Sequence, residues 1–119
     1  MRYFSIIRAA EQQGPPPQAL MDAMDKYVTR TLANGSVVST GGLAPSAKGF
    51  CVRMEGGKLT FTDGPFAESK ELVGGYAVIE ARSREEAIRA TQEFMQLHLD
   101  HWPEWVGECE VRELAFLAP

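Results

Sequence analysis

"GYAVIEARSREEA", residues 75–87, changes period partway along. Tyr76 and Val78 fall on one side of an extended chain, Ala77 and Ile79 on the other, because alternate strand residues point to opposite faces. Both sides are therefore apolar. Ser83-Arg84-Glu85-Glu86 then reads as a capping box. The Ser hydroxyl and the Glu carboxylate each satisfy a free N–H of a first helical turn. Ala87, Thr91, Phe94, Met95 and Trp102 recur at helical spacing beyond it. Trp102-Pro103 closes that helix near residue 100. A strand at about 108–114 ends the chain.

Upstream the same succession occurs once already. Residues 2–8, RYFSIIR, are β-prone, with Tyr3 and Ile7 on one side and Phe4 and Ile6 on the other. Gly14-Pro15-Pro16-Pro17 breaks the chain, and proline is tolerated in the first turn of a helix. Leu20, Met24, Tyr27, Val28, Thr31 and Leu32 follow at helical spacing, until Asn34-Gly35 offers a left-handed cap. Residues 36–43, SVVSTGGL, read as the second strand, closed by Pro45. GFCVRM and KLTFT flank Glu55-Gly56-Gly57, a hairpin signal. The order is thus β-α-β, an inserted hairpin, then β-α-β. That is the ferredoxin-like split βαβ plan, an α+β fold with two helices on one face of an antiparallel sheet.

A sheet with one face in water alternates apolar and polar residues. The strands at 2–8 and 75–81 do not. A second copy of the sheet is the simplest cover, so a homodimer packed sheet to sheet is expected. A monomer would leave Tyr3, Ile7 and one side of residues 76–79 exposed.

The 119 residues suit a single domain, 1–119, that needs no metal or disulfide to fold. Sixteen acids against twelve bases give a net charge of −4, so the basic stripe of a nucleic-acid binder is absent. No apolar run approaches the roughly 20 residues of a membrane span. The first residues, MRYFSIIRAAEQQG, are too quickly charged for a signal peptide. Cys51 and Cys109 lack CxxC spacing and read as reduced thiols, which makes a cytoplasmic protein the expectation.

Chemistry concentrates at TDGPFAESKELVGGY, residues 62–76. Asp63-Gly64-Pro65-Phe66 is a turn in which Asp63 either staples backbone N–H groups or faces a cleft as a base. Glu68, Lys70 and Glu71 either form a solvated turn or line that cleft. Gly74-Gly75 marks a bulge or a close approach of backbone. Neither GxGxxG nor GxxxxGK[ST] occurs, so no nucleotide cradle is expected. His98 shares a stripe with Phe94 and Trp102 and reads first as a hydrogen-bonded residue at the core edge. Its ordinary pKa near neutrality also suits it to act as acid–base partner of Asp63. His98-Leu99-Asp100-His101 has no convenient third ligand, and no metal is expected.

TDGPFAESKELVGGY resembles the signature of the DGPF-motif branch of the YCII-related family. Leu43-Ala44-Pro45, Ser83-Arg84-Glu85-Glu86-Ala87 and Glu110-Val111-Arg112 resemble that branch in the same order, so the likeness spans nearly the whole chain. The resemblance implies a dimeric ferredoxin-like α+β barrel with a cleft at the sheet. Some members lie beside or are fused to sigma factors, and one relative acts on a chlorinated hydroxyaromatic. The wider family often pairs a His of the first helix with an Asp. Here that helix reads MDAMDKYVTR and holds no His, so that mechanism does not carry over.

Two functions are therefore expected as alternatives. One is a small-molecule enzyme without a cofactor, with Asp63 and His98 catalytic and Phe66, Glu68, Lys70, Glu71 and Tyr76 binding substrate between a Phe66 roof and a Tyr76 floor. The other is a non-catalytic module binding a ligand or a regulatory protein, as the association with sigma factors suggests.

Overall fold

Alternate side chains of the first strand, β1 (Arg2–Ala9), divide as a strand requires. Tyr3 and Ser5 are buried, whereas Phe4 and Ile6 are only half covered. The computed structural model describes residues 1–66 and 72–116. After β1 come α1 (Gln18–Asn34), β2 (Val37–Gly42), β3 (Phe50–Glu55), β4 (Lys58–Asp63), β5 (Leu72–Glu80), α2 (Arg84–His101) and β6 (Gly107–Glu113). A single 3-10 turn, Ser46–Lys48, stands between β2 and β3.

The main sheet runs β2-β5-β1-β6, antiparallel throughout. Each β-α-β crossover therefore straddles one strand: β5 lies between β1 and β2, and β1 lies between β5 and β6. This is the ferredoxin-like arrangement. Its core is Tyr3, Ile79, Ala81 and Ala87, with Ala77 and Val111 packed alongside. Ile7, Ala77 and Ile79 from the sheet line a small internal cavity with Tyr27, Ala90 and Phe94 from the helices.

Both helices cover the same face, the one carrying Tyr3 and Ile7. The sequence expectation had these two facing outward; the structure turns them inward and leaves Phe4, Ile6, Tyr76 and Val78 on the bare side. Two equally apolar faces do not announce which one meets the helices. Small residues do: Ala81 and Ala87, both buried, let α2 approach Tyr3 closely.

The helix ends explain themselves locally. Gly35 takes the left-handed φ of 81° and donates its N–H to Leu32 O, ending α1. At α2, the Ser83 hydroxyl accepts from Glu86 N at 3.1 Å. The reciprocal half of the capping box is replaced: the Glu86 carboxylate takes the Arg82 guanidinium at 3.0 Å. That pairing holds the Glu86 carboxyl below its usual range. Glu85 and Glu86 in the first turn complement the helix dipole.

Among the described residues β3 and β4 pair only with each other, in a separate two-stranded sheet. Gly56 and Gly57 both take positive φ, 59° and 73°, as a tight two-residue hairpin turn demands. Phe50, Val52 and Met54 share one face with their cross-strand neighbours Leu59, Phe61 and Asp63. Those five apolar side chains are exposed, from 59 % at Val52 to 77 % at Met54. The other face carries Cys51, Arg53, Glu55, Lys58, Thr60 and Thr62. The hairpin stands away from the main sheet, and the radius of gyration is 16.0 Å. A compact chain of this length has about 13.5 Å.

Candidate functional site

The turn after β4 is built on the 3-10 turn beside it. Gly64 N donates to Gly49 O at 2.9 Å, and the Gly64 Cα lies so close to the Ser46 carbonyl that any Cβ would collide with it. The Gly64–Pro65 bond is cis. The Phe66 ring lies against Gly49. The Glu11 carboxylate clips the turn from the other side, accepting from Ser46 N at 2.7 Å and Ser46 Oγ at 3.1 Å. The residue that fastens this region is thus Glu11, from the β1–α1 connection. Among the described residues nothing donates a hydrogen bond to the Asp63 carboxylate, which is exposed at the end of β4. Glu68, Lys70 and Glu71 lie outside the described residues.

Tyr76 lies on the helix-free face of the main sheet. Its ring is within 9° of parallel to Phe4, with centroids 5.9 Å apart. Its hydroxyl shares a 3.1 Å hydrogen bond with Ser39 Oγ. Gly41 passes beside the ring, where a Cβ would stand 3.0 Å from Cε1. Gly75 is equally constrained: a Cβ there would meet Gly41 O at 3.0 Å and Ile7 Cδ1 at 3.3 Å. The register shifts opposite Gly74, from Ile7↔Gly75 to Arg8↔Val73. The Gly-Gly pair therefore serves both close approach and a bulge.

The same face carries charge at its β6 side. Arg8 Nη1 donates to Glu110 Oε1 at 2.5 Å, and Arg112 Nε to Glu110 Oε2 at 2.6 Å. These two hydrogen bonds, Arg8 first, hold the Glu110 carboxyl below its ordinary range. Arg112 stands directly across from Phe4, and Glu110 from Ile6. A strip of Phe4, Ile6, Tyr76 and Val78 is thus bordered by a hydroxyl pair on one flank and by a doubly held carboxylate on the other. Mixed linings of this kind suit small-molecule sites. Phe4, Arg8 and Ser39 carry no local signal in the sequence; only the strand register assembles them.

His98 belongs to the opposite layer. It sits in the last turn of α2, its Nδ1 3.3 Å from Phe94 O. Its ring is held between Phe94 at 5.0 Å and Trp105 at 4.4 Å. Burial disfavours the charged ring and holds the imidazole below its usual value. Trp105 in turn covers Gly107, where a Cβ would run into the indole. The Gln13 side-chain amide fixes the adjoining loop, donating to Val106 O at 2.9 Å and accepting from Val106 N at 2.8 Å. The sheet separates Tyr76 from α2, since Tyr76 and Ala77 point to opposite faces. Among the described residues no hydrogen bond links His98 to Asp63, and Phe66 and Tyr76 do not stack on each other.

A broader groove of about 590 Å³ opens on the helix side between α2 and the β1–β6 edge, lined by Tyr3, Thr91, Met95, Cys109 and Val111. Burial pushes the Cys109 thiol up, and it contacts Met95 Sδ at 3.5 Å. Among the described residues no three His, Cys, Asp or Glu side chains converge as a metal site would need. No described helix is long and apolar enough to cross a membrane.

The family model of the YCII-related domain matches residues 1–97, which include β1, the Asp63 turn and Tyr76. The chain belongs to that family. No curated protein matches it significantly.

Proposed function

We propose that this YCII-related chain works as a homodimer and binds a compact small molecule on the helix-free face of its sheet, in a cofactor-independent reaction with Asp63 as the proton-transferring group. The observation that carries the reading is the composition of that face. Phe4, Ile6, Tyr76 and Val78 supply a flat apolar floor, while the Tyr76 hydroxyl, Ser39 and the Arg8–Glu110–Arg112 cluster supply polar groups around it. An aromatic ring lying on Tyr76 and Phe4 gains stacking. A phenolate or carboxylate on that ring meets the Arg112 guanidinium, whose Nη groups have no hydrogen-bond partner among the described residues.

The exposed apolar face of the hairpin favours a second reading, a non-catalytic module for a protein partner, since patches of that kind mark interaction surfaces. One experiment separates the two. A panel of substituted benzoates and phenols is titrated into 15N-labelled protein, and conversion of each compound is followed by mass spectrometry. Binding at Phe4, Ser39 and Tyr76 with turnover is the expected result. Perturbation confined to the groove beside α2 would overturn the placement. Binding at the face without turnover would leave the non-catalytic reading standing.

A further inference from the structure

We infer that the β3–β4 hairpin is an exchanged arm, whose apolar face closes over the helix-free sheet face of a second copy of this chain. The inference rests on the homodimer reading above and specifies how the two copies complete one another's site.

Among the described residues two apolar surfaces lie away from both helices. The first is the hairpin face of Phe50, Val52, Met54, Leu59 and Phe61. These side chains are 59–77 % exposed, with Phe50 and Phe61 stacked on each other. The second is the strip of Phe4, Ile6, Tyr76 and Val78, which neither helix touches. Among the described residues of one copy, the two belong to separate sheets. Between two copies they can meet, reciprocally, as a two-fold axis requires.

Area supports the same match. Large side chains present about 200 Å² each, so the exposed part of the five hairpin residues comes to roughly 600 Å². A soluble monomer rarely leaves a continuous apolar patch of that size. A stable interface needs about 800 Å² from each partner. One arm given supplies most of that, and the half-buried strip that receives the other arm adds at most about 290 Å², so the two together reach it at near-complete burial. Charge sorts the hairpin in the same sense. Arg53, Glu55 and Lys58 keep its other face in water, and the docking face carries a single charge, Asp63, at its root. On the receiving face the charges are confined to a border: Arg2 with Glu80 at one end, Arg8 near the other end of β1, and Glu108, Glu110 and Arg112 along β6. The apolar middle is free to take the arm. The arm would then roof the stacked Phe4–Tyr76 pair with aromatic side chains from the neighbouring copy, and bring that copy's Asp63 to the edge of the floor.

The test uses a cysteine already on the arm. Cys51 is exposed on the hairpin's polar face, whereas Cys109 is partly buried. Chain carrying Cys109→Ala is labelled with a nitroxide at Cys51 and mixed with unlabelled-thiol, 15N-enriched chain. Line broadening at Phe4, Ile6, Tyr76 and Val78 of the enriched copy is expected. Sedimentation of a Phe50→Ser, Phe61→Ser variant should show dimer association weakened on the order of 100-fold with its circular dichroism unchanged, because both residues lie outside the core. A dimer whose broadening is confined to the hairpin, or that survives the double substitution unweakened, overturns the exchanged arm and leaves the homodimer intact. A monomer at micromolar concentration overturns both.

Discussion

The rings of Tyr76 and Phe4 lie 5.9 Å apart and nearly parallel, reached diagonally across neighbouring antiparallel strands. Gly41 permits this, since it is the β2 residue opposite Tyr76 and brings no side chain. Gly41→Ala should push the Tyr76 ring off Phe4 and cost about 1–3 kcal/mol, the usual price of overpacking. Urea unfolding would show it as a lower midpoint. An unchanged midpoint would mean that the ring has room the geometry does not reveal.

Tyr76→Phe keeps the stacking and removes the hydroxyl. Ser39 then loses one partner at a half-buried site, a loss of about 0.5–1.5 kcal/mol. Ligand affinity measured by titration should fall more than stability does. Equal affinity for the two proteins would remove the hydroxyl from the proposed site.

Asp63→Asn should leave stability within about 0.5 kcal/mol of the parent, as for an exposed side chain without a described partner. Turnover of any compound found to react should be lost. Retained turnover would exclude Asp63 as the proton-transferring group, whatever the melting curve shows.

Glu11→Ala takes both acceptors from the buried Ser46, leaving its N–H and its hydroxyl proton without one, while the hydroxyl oxygen still accepts from Phe66 N. About 1–3 kcal/mol is the expected loss. Glu11→Gln retains an acceptor and should recover part of it. Thermal melts of the three proteins give the ranking, and the reverse order would show that Glu11 acts through its charge instead.

Burial holds the His98 imidazole below its ordinary value. The unfolded chain therefore takes up this proton first as pH falls through about 6.5. His98 contributes its full stability above that point, and the contribution is lost progressively until the folded ring is protonated too. Chemical unfolding at a series of pH values should show a steeper acid-side decline for the parent than for His98→Phe. His101 is present in both proteins and cancels. Parallel curves would contradict the burial of the ring.

Legibility in the sequence followed range. The strands, the helices and the hairpin turn are announced by neighbours: Gly56-Gly57 between two apolar runs, Ser83 three residues before Glu86, Gly35 after a helical stripe. Which side of the sheet meets the helices was not announced, because Tyr3 and Phe4 are equally apolar and only the close seat of Ala81 and Ala87 against Tyr3 decides between them. The Asp63 turn stood out by its letters, yet Glu11, the residue that fastens it, lies far upstream in an unremarkable stretch. Arg8 and Glu110 likewise meet only once β1 and β6 are in register. Tyr76 was legible as a large amphipathic side chain after two glycines; its neighbours Phe4 and Ser39 were not.

β1 is made before every strand it pairs with, yet it ends up inside the sheet, between β5 and β6. Its contacts are with residues such as Gly75 and Cys109, from the far half of the chain. The two strands of the hairpin pair with each other. Assembly on the ribosome therefore runs out of sequence order: the arm can close as soon as it emerges, while the strand synthesised earliest waits for the last. Contacts this distant close slowly. Until they do, a segment apolar on both sides has bare edges of the kind that recruit other chains. A nascent chain halted before Gly107 keeps one of those edges permanently, and such fragments should be found with chaperones or in aggregates, in contrast to chains stopped after Glu113.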